Sequence, residues 1–245
     1  VAESMVRLEG ITKTIKKQVI IEGLNLQIEE GQIVALCGGN GAGKSTILRM
    51  IAGISHPDSG RITVDGLMWK NNRKRYADLI GYMPDDFRFS QGLTAFETLS
   101  FWAALRGIPQ TRVKELLQEV GLEDTGKKSV SSFSKGMRQR VLFAQALLAK
   151  PPVVLMDEPT NGLDPYWIES FVRMVKETAA SGQTVIFSTH QLHVAEALAD
   201  RIALLRGGQI ELEGTAADIR EQLGASGLQA AFAEWFGLTG KLNGY

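Results

Sequence analysis

The chain has 245 residues, 27 of them Lys or Arg and 27 Asp or Glu, so its formal net charge is zero. With 44% hydrophobic and 22% charged residues it is not a disordered chain, and the balanced charge gives no support to nucleic acid held on a basic face. One cysteine and three histidines exclude a disulfide framework and a Cys-based zinc cluster. No apolar run approaches the ~18–20 residues of a membrane helix, and the N-terminus carries no basic-then-apolar secretion signal. The expectation is a cytoplasmic chain that meets a membrane only through a partner.

In chain order, the apolar residues follow two patterns. Leu24-Asn25-Leu26-Gln27-Ile28 alternates, as does Arg61-Ile62-Thr63-Val64, which predicts half-exposed antiparallel strands. Ile33-Val34-Ala35-Leu36-Cys37, Val153-Val154-Leu155-Met156, Val185-Ile186-Phe187 and Ile202-Ala203-Leu204-Leu205 are continuous short runs, the mark of parallel strands covered on both faces. From Thr94 to Lys150 the pattern is helical throughout. Thr94 and Glu97 form a capping box, and Val113, Leu116, Leu117 and Val120 recur at helical spacing. A helix bearing Ile168, Phe171, Val172 and Val175 separates the second and third apolar runs, which makes the class α/β. Gly207-Gly208 is the predicted tip of a hairpin. Leu228, Phe232, Trp235 and Phe236 stand at helical spacing and are expected to pack on the protein's own core.

Gly38-Gly39-Asn40-Gly41-Ala42-Gly43-Lys44-Ser45 fits the pattern GxxxxGK[ST]. It follows a buried strand and opens a helix bearing Ile47, Leu48 and Ile51, the setting of a phosphate-binding loop. Glycines let successive backbone N–H groups point at one anion, and the helix N-terminus adds partial positive charge. Lys44 is then placed for the β- and γ-phosphates and the Ser45 hydroxyl for Mg²⁺. The second buried run ends in Asp157-Glu158: the first acid suits a metal, the second a general base for the attacking water.

Phe133-Ser134-Lys135-Gly136-Met137-Arg138-Gln139-Arg140, Gly162-Leu163-Asp164 and His190 after Val185-Ile186-Phe187-Ser188-Thr189 complete the pattern. With them the chain resembles the nucleotide-binding subunits of ABC transporters over nearly its whole length. The first segment looks like the signature, usually LSGGQ, the second like the D-loop, and His190 like the switch histidine. The resemblance implies a P-loop NTPase with a RecA-like parallel-sheet core and an antiparallel β subdomain (5–86 and 151–220), an α-helical subdomain with the signature (87–150) and a tail (221–245). It implies ATP and Mg²⁺ as ligands and a head-to-tail dimer with a second copy or a homologous subunit. Gly38, Gly39, Asn40, Gly41, Ala42, Gly43, Lys44, Ser45 and Thr46 of one subunit would hold each ATP, closed over by Ser134, Gly136 and Asp164 of the other. Catalysis falls to Lys44, Glu158 and His190, and the metal to Ser45, Asp157 and Asp85. His56 and His193 are read as a loop and a helix-surface residue, and Cys37 as a buried structural thiol.

The sequence departs from the family in four places. Asp85 stands where a glutamine is usual, so an anionic, shorter group faces the metal. Ile15 replaces an aromatic that stacks on adenine, Gly39 stands where Pro is common, and Lys135 replaces a signature glycine. The resemblance further implies integral membrane permease subunits, docked beside Asp85-Asp86-Phe87-Arg88-Phe89 and the helix with Phe96, Phe101 and Trp102. It places the chain on the inner face of the membrane. Phe133–Arg140, Leu93–Leu99 and the short C-terminal segment look more like exporters of the ABC-2 kind than importers. Two other readings stay open: a soluble ABC ATPase acting on nucleic acid or ribosomes, and a nucleotide-binding regulator that does not hydrolyse.

Overall fold

The computed structural model describes residues 4–223. Strands β1 (Ser4–Ile15) and β2 (Gln18–Glu29) form an antiparallel hairpin. Its two-residue turn is Lys16-Lys17, both at positive φ (49° and 67°), the turn geometry that matches strand twist. The next strand, β3 (Ile33–Gly38), is wholly buried and runs into α1 (Lys44–Ile51). Then β4 (Ser59–Val64) pairs back on β1, so the small sheet has the order β2-β1-β4. The short helix α2 (Arg73–Asp78) leads into β5 (Ile80–Met83).

Between β5 and the next strand lie three helices, α3 (Ala95–Leu105), α4 (Gln110–Glu119) and α5 (Lys135–Leu147). The capping box of α3 is formed: Glu97 Oε2 accepts from Thr94 N at 2.9 Å, and Thr94 Oγ1 accepts from Glu97 N at 3.2 Å. Such a cap is worth about 1 kcal/mol. Val113, Leu116, Leu117 and Val120 are all buried. The stretch from Thr94 to Lys150 is not helical throughout, however. Gly121 (φ 60°) follows the end of α4 and Gly126 (φ 57°) ends the first of two short 3₁₀ turns, the only helical pieces before α5.

The chain then supplies β6 (Val153–Met156), α6 (Pro165–Ala180), β7 (Thr184–Thr189), α7 (Leu192–Leu198), β8 (Arg201–Arg206), β9 (Gln209–Gly214) and α8 (Ala216–Leu223). The second sheet has the order β5-β6-β7-β3-β8-β9 and is parallel except for β9, joined to β8 through Gly207-Gly208. Both of its faces are covered. Along β3, Ile33, Ala35 and Cys37 face the helices α3–α7, while Val34 and Leu36 face α1 and the small sheet. The same division holds for Val154 and Met156 against Val153 and Leu155. A strand with no solvent face has no reason to alternate, which is why these strands read as unbroken apolar runs. Because β3, β7, β6 and β5 are neighbours and parallel, the residues that follow them emerge at one edge, where ligands bind in open α/β sheets. The spacing at Leu228–Phe236 lies outside the described residues.

Candidate nucleotide-binding and hydrolysis site

The loop after β3 frames an open groove of about 420 Å³, lined by Asn40–Thr46 together with Ile15, Lys16, Gln18, Ile20, Asp85 and Glu158. Gly43 caps α1 at φ 100°, and a Cβ there would run into Ile21 Cδ1, so only glycine fits. The first turn of α1, at Lys44, Ser45 and Thr46, presents backbone N–H groups without helical partners, a ready anion site. Gly38 and Gly39 do not line the groove. They act through their carbonyls, which accept from the buried Lys44 Nζ at 2.8 and 3.2 Å.

The acids after β6 are fixed from several sides. Asp157 Oδ1 accepts from Ser45 Oγ at 2.9 Å and from Ser188 Oγ at 2.6 Å. Glu158 N donates to the same Ser188 Oγ at 2.9 Å. Glu158 sits in the left-handed region at φ 47°, a backbone strain worth about 1–3 kcal/mol in a residue with a side chain. Its carboxylate lies between two groups: Oε1 is 3.4 Å from Lys44 Nζ and Oε2 is 2.8 Å from His190 Nδ1. An ionised carboxylate only accepts, so Nδ1 carries the proton and Nε2 is left for another partner. Lys44 and Glu158 are an ion pair with side chains only 7% and 11% exposed, so removal of either leaves a buried charge uncompensated.

Asp85 reaches the groove from the end of β5, and its Oδ1 is 3.4 Å from Asn161 Nδ2. The donors gathered here are all oxygens, and no group of three or more His, Cys, Asp or Glu that would hold a metal by itself exists among the described residues. That set fits a hard cation that takes most of its ligands from water and phosphate. Burial pushes the Cys37 thiol up to about 12, which removes it from nucleophilic chemistry. His193 lies on the exposed side of α7, and His56 is exposed in the turn before β4.

Ser134, Gly136 and Asp164 do not line this groove. The side chains of two of them cap helices: Ser134 Oγ accepts from Met137 N at 3.2 Å and Asp164 Oδ1 from Trp167 N at 3.0 Å. Gly136 lies against Gly162, where a Cβ would fall 2.6 Å from the carbonyl oxygen. The stem of Lys135 also crosses Gly162, while the residue as a whole is exposed. Behind them, Arg140 of α5 places its guanidinium carbon 3.9 Å from the Trp167 ring centroid of α6 and donates to the Val120 and Gly121 carbonyls. Within one chain, then, the phosphate loop and the signature belong to separate surfaces.

Sequence reasoning passed over Ser188, Asn161, Lys16 and Gln18. Ser188 has a readable signal, the first hydroxyl after an apolar run. Met156 pairs with Phe187, so the next residues of β6 and β7 are Asp157 and Ser188. Lys16 and Gln18 enter the groove only because the β1–β2 hairpin folds over it, a long-range placement.

The sequence model of the ABC transporter family matches residues 21–161. The linearmycin resistance ATP-binding protein LnrL of Bacillus subtilis (strain 168) is 35% identical over 240 residues, covering 93% of this chain and 77% of that protein. The lantibiotic transport ATP-binding protein SrtF of Streptococcus pyogenes is 34% identical over 209 residues, or 85% of this chain and 90% of that protein. The dimeric ATP-binding cassette MJ0796, solved in a post-hydrolysis state with ADP and Pi, superposes with a TM-score of 0.80 at 31% identity over 86% of this chain and 98% of that one.

Proposed function

The chain belongs to the ABC transporter family, as an ATP-binding and ATP-hydrolysing subunit, and from that premise we propose that it powers an exporter as a head-to-tail dimer docked on separate membrane subunits. The observation that carries the reading is the Glu158 carboxylate, held between Lys44 and His190 at the mouth of the phosphate loop. Gly38–Thr46 hold the triphosphate, with Lys44 exchanging the Gly38 and Gly39 carbonyls for phosphate oxygens. Ser45, Asp157 and Asp85 would hold Mg²⁺, which would supply charge neutralisation at the phosphates. Glu158 takes the proton of the attacking water. His190 fixes the carboxylate through Nδ1.

Two features support a second copy as the missing wall. Ser134 and Asp164 lie on exposed surface, and the groove is open where a signature would close it. Export is supported by the names of the relatives, one a resistance protein and one a lantibiotic transporter. No helix among the described residues is long and apolar enough to cross a membrane, and the proposed permease subunits span it. A groove of about 510 Å³ suits their dock, bordered by Arg49, Ile54, Tyr82, Phe87, Trp102 and Arg106. Phe89 packs on the core, while Phe87 is 40% exposed, with its ring edge-on to Phe89 and Trp102.

An aromatic anchor of this kind contributes about 2 kcal/mol or more to an interface. Phe87→Ala should therefore release the chain from its membrane subunits in co-purification while ATP turnover of the isolated chain stays unchanged. Full transport-coupled turnover in that variant would move the dock elsewhere. Absence of turnover from the purified wild-type chain, with its permease present, would reject the reading as a whole.

A further inference from the structure

Two grooves flank the last turn of α1. Arg49 lines the one assigned to the permease, and Met50 lines a second, of about 470 Å³, between α1, β4 and the segment that leads to α2. The walls of the second groove include Met50, Met68 and Trp69, and its rim carries Arg61, Lys70 and Arg73, all exposed. No carboxylate lines it. Among the described residues none of the three rim cations is ion-paired. The acid of the adjacent turn, Asp58, is already held by Lys13 Nζ at 2.8 Å and Thr14 N at 2.6 Å. Lys74 and Arg75 extend the positive strip along exposed α2.

The apolar wall is held in place. The Trp69 ring lies on Gly53, where a Cβ would fall 2.6 Å from Cε3. Tyr76 meets the indole edge-on, with centroids 5.6 Å apart and planes at 84°, and its hydroxyl donates to the Ile51 carbonyl of α1 at 2.8 Å. Exposed cations beside the part-exposed Trp69 indole and Met68 thioether make a surface with two halves, one for phosphate oxygens and one for hydrocarbon.

We propose that this groove binds the phosphate headgroup of an anionic phospholipid, so that the chain touches the cytoplasmic membrane surface directly as well as through its permease. The orientation rests on the dock proposed above, whose groove is bordered by Arg49, the neighbour of Met50 in α1. The cytoplasmic leaflet is negative and draws clustered Lys and Arg, and Trp and Tyr favour the headgroup level. An acidic protein segment would match the cations but make no use of the part-exposed faces of Met68 and Trp69.

The test is co-sedimentation of the purified full chain with vesicles of phosphatidylcholine alone or mixed with phosphatidylglycerol, without any permease. The wild type should bind the mixed vesicles only, and less as salt is raised. Each of Arg61→Gln, Lys70→Gln and Arg73→Gln should weaken that binding roughly fivefold, and the three together about a hundredfold. ATP turnover should stay at the wild-type level, since none of the three lines the nucleotide groove. Equal binding to both vesicle types, or binding that survives the triple variant, overturns the proposal. So does soluble glycerol 3-phosphate if it binds the groove as tightly as vesicles do, which would make the ligand a free phosphate. A triple variant that keeps vesicle binding but loses its membrane subunits in detergent assigns the groove to an acidic permease segment and equally overturns it. Active ATPase without vesicle binding would refute the lipid contact alone and leave the transporter reading standing.

Discussion

The carboxyl edge of the central sheet and the segment around Ser134 both meet phosphate in the proposed dimer, yet they are built in opposite ways. At the sheet edge Lys44, Asp157, Glu158 and Ser188 are buried, and the functional groups are tied to one another: Asp157 to Ser45 and Ser188, Glu158 to Lys44 and His190. Around Ser134 the side chain faces solvent, and its one bond among the described residues caps α5. The first region is organised by the chain's own packing and holds its geometry alone. The second offers a helix terminus whose N–H groups are oriented but have nothing to close upon within the same molecule. Chemistry is thus assigned to the buried region and its control to the exposed one.

The sharpest way to break this comparison is at Glu158. Glu158→Gln keeps shape and the hydrogen bond to His190 but cannot take a proton, so turnover should fall about 10²–10⁴-fold with ATP affinity retained. Phosphate release and nucleotide binding, measured side by side, check it. A smaller effect, of another kind, is expected at Ser134. Ser134→Ala removes one hydrogen bond to a charged group, worth about 1.5–3 kcal/mol, so turnover should drop roughly ten- to a hundredfold. Nucleotide affinity of the monomer should not move, because Ser134 does not line that groove. Equal losses in monomer binding and in turnover would show the two regions to be one.

How far this division was legible in the sequence depends on the range of the interactions. The central strands were readable because both faces are covered, and the Thr94–Glu97 cap because it closes within four residues. Strand β1 was not singled out: its pairing shifts register between Leu8 and Ile11, next to Gly10, which breaks the alternation that betrays a half-exposed strand. The glycines at 121 and 126 were outweighed by the helical spacing on either side. The capping bonds of Ser134 and Asp164 and the contact of Ser188 with Asp157 are visible only in three dimensions.

Two milder substitutions sharpen the picture inside the groove. Ile15 is 43% exposed at its edge and offers no ring to a base. GTP should therefore bind within about tenfold of ATP, and Ile15→Tyr should tighten ATP by roughly 1–3 kcal/mol, read by calorimetric titration with both nucleotides. A preference for ATP beyond about a hundredfold would assign adenine recognition to another lining residue. The smallest effect is expected at Asp85. If its carboxylate serves the cation, Asp85→Asn should raise the Mg²⁺ concentration for half-maximal turnover several-fold, about 1 kcal/mol, while Asp85→Gln stays active. Unchanged half-saturation in Asp85→Asn and Asp85→Ala would leave Asn161 as the only partner of this side chain.

The stack of Arg140 on Trp167 has a consequence for association. It joins α5, which begins at the signature, to α6, which begins at Asp164, and the same guanidinium grips the end of α4 through two carbonyls. Burial holds this guanidinium below its usual pKa, against the opposing charge of Asp164. A lysine would keep the charge but not the flat stack or the fork of donors. The two segments that a second copy would touch are therefore clasped before any partner arrives. Their ordering entropy is met in folding rather than in docking, so a modest contact area is enough to bring two copies together and still let them part.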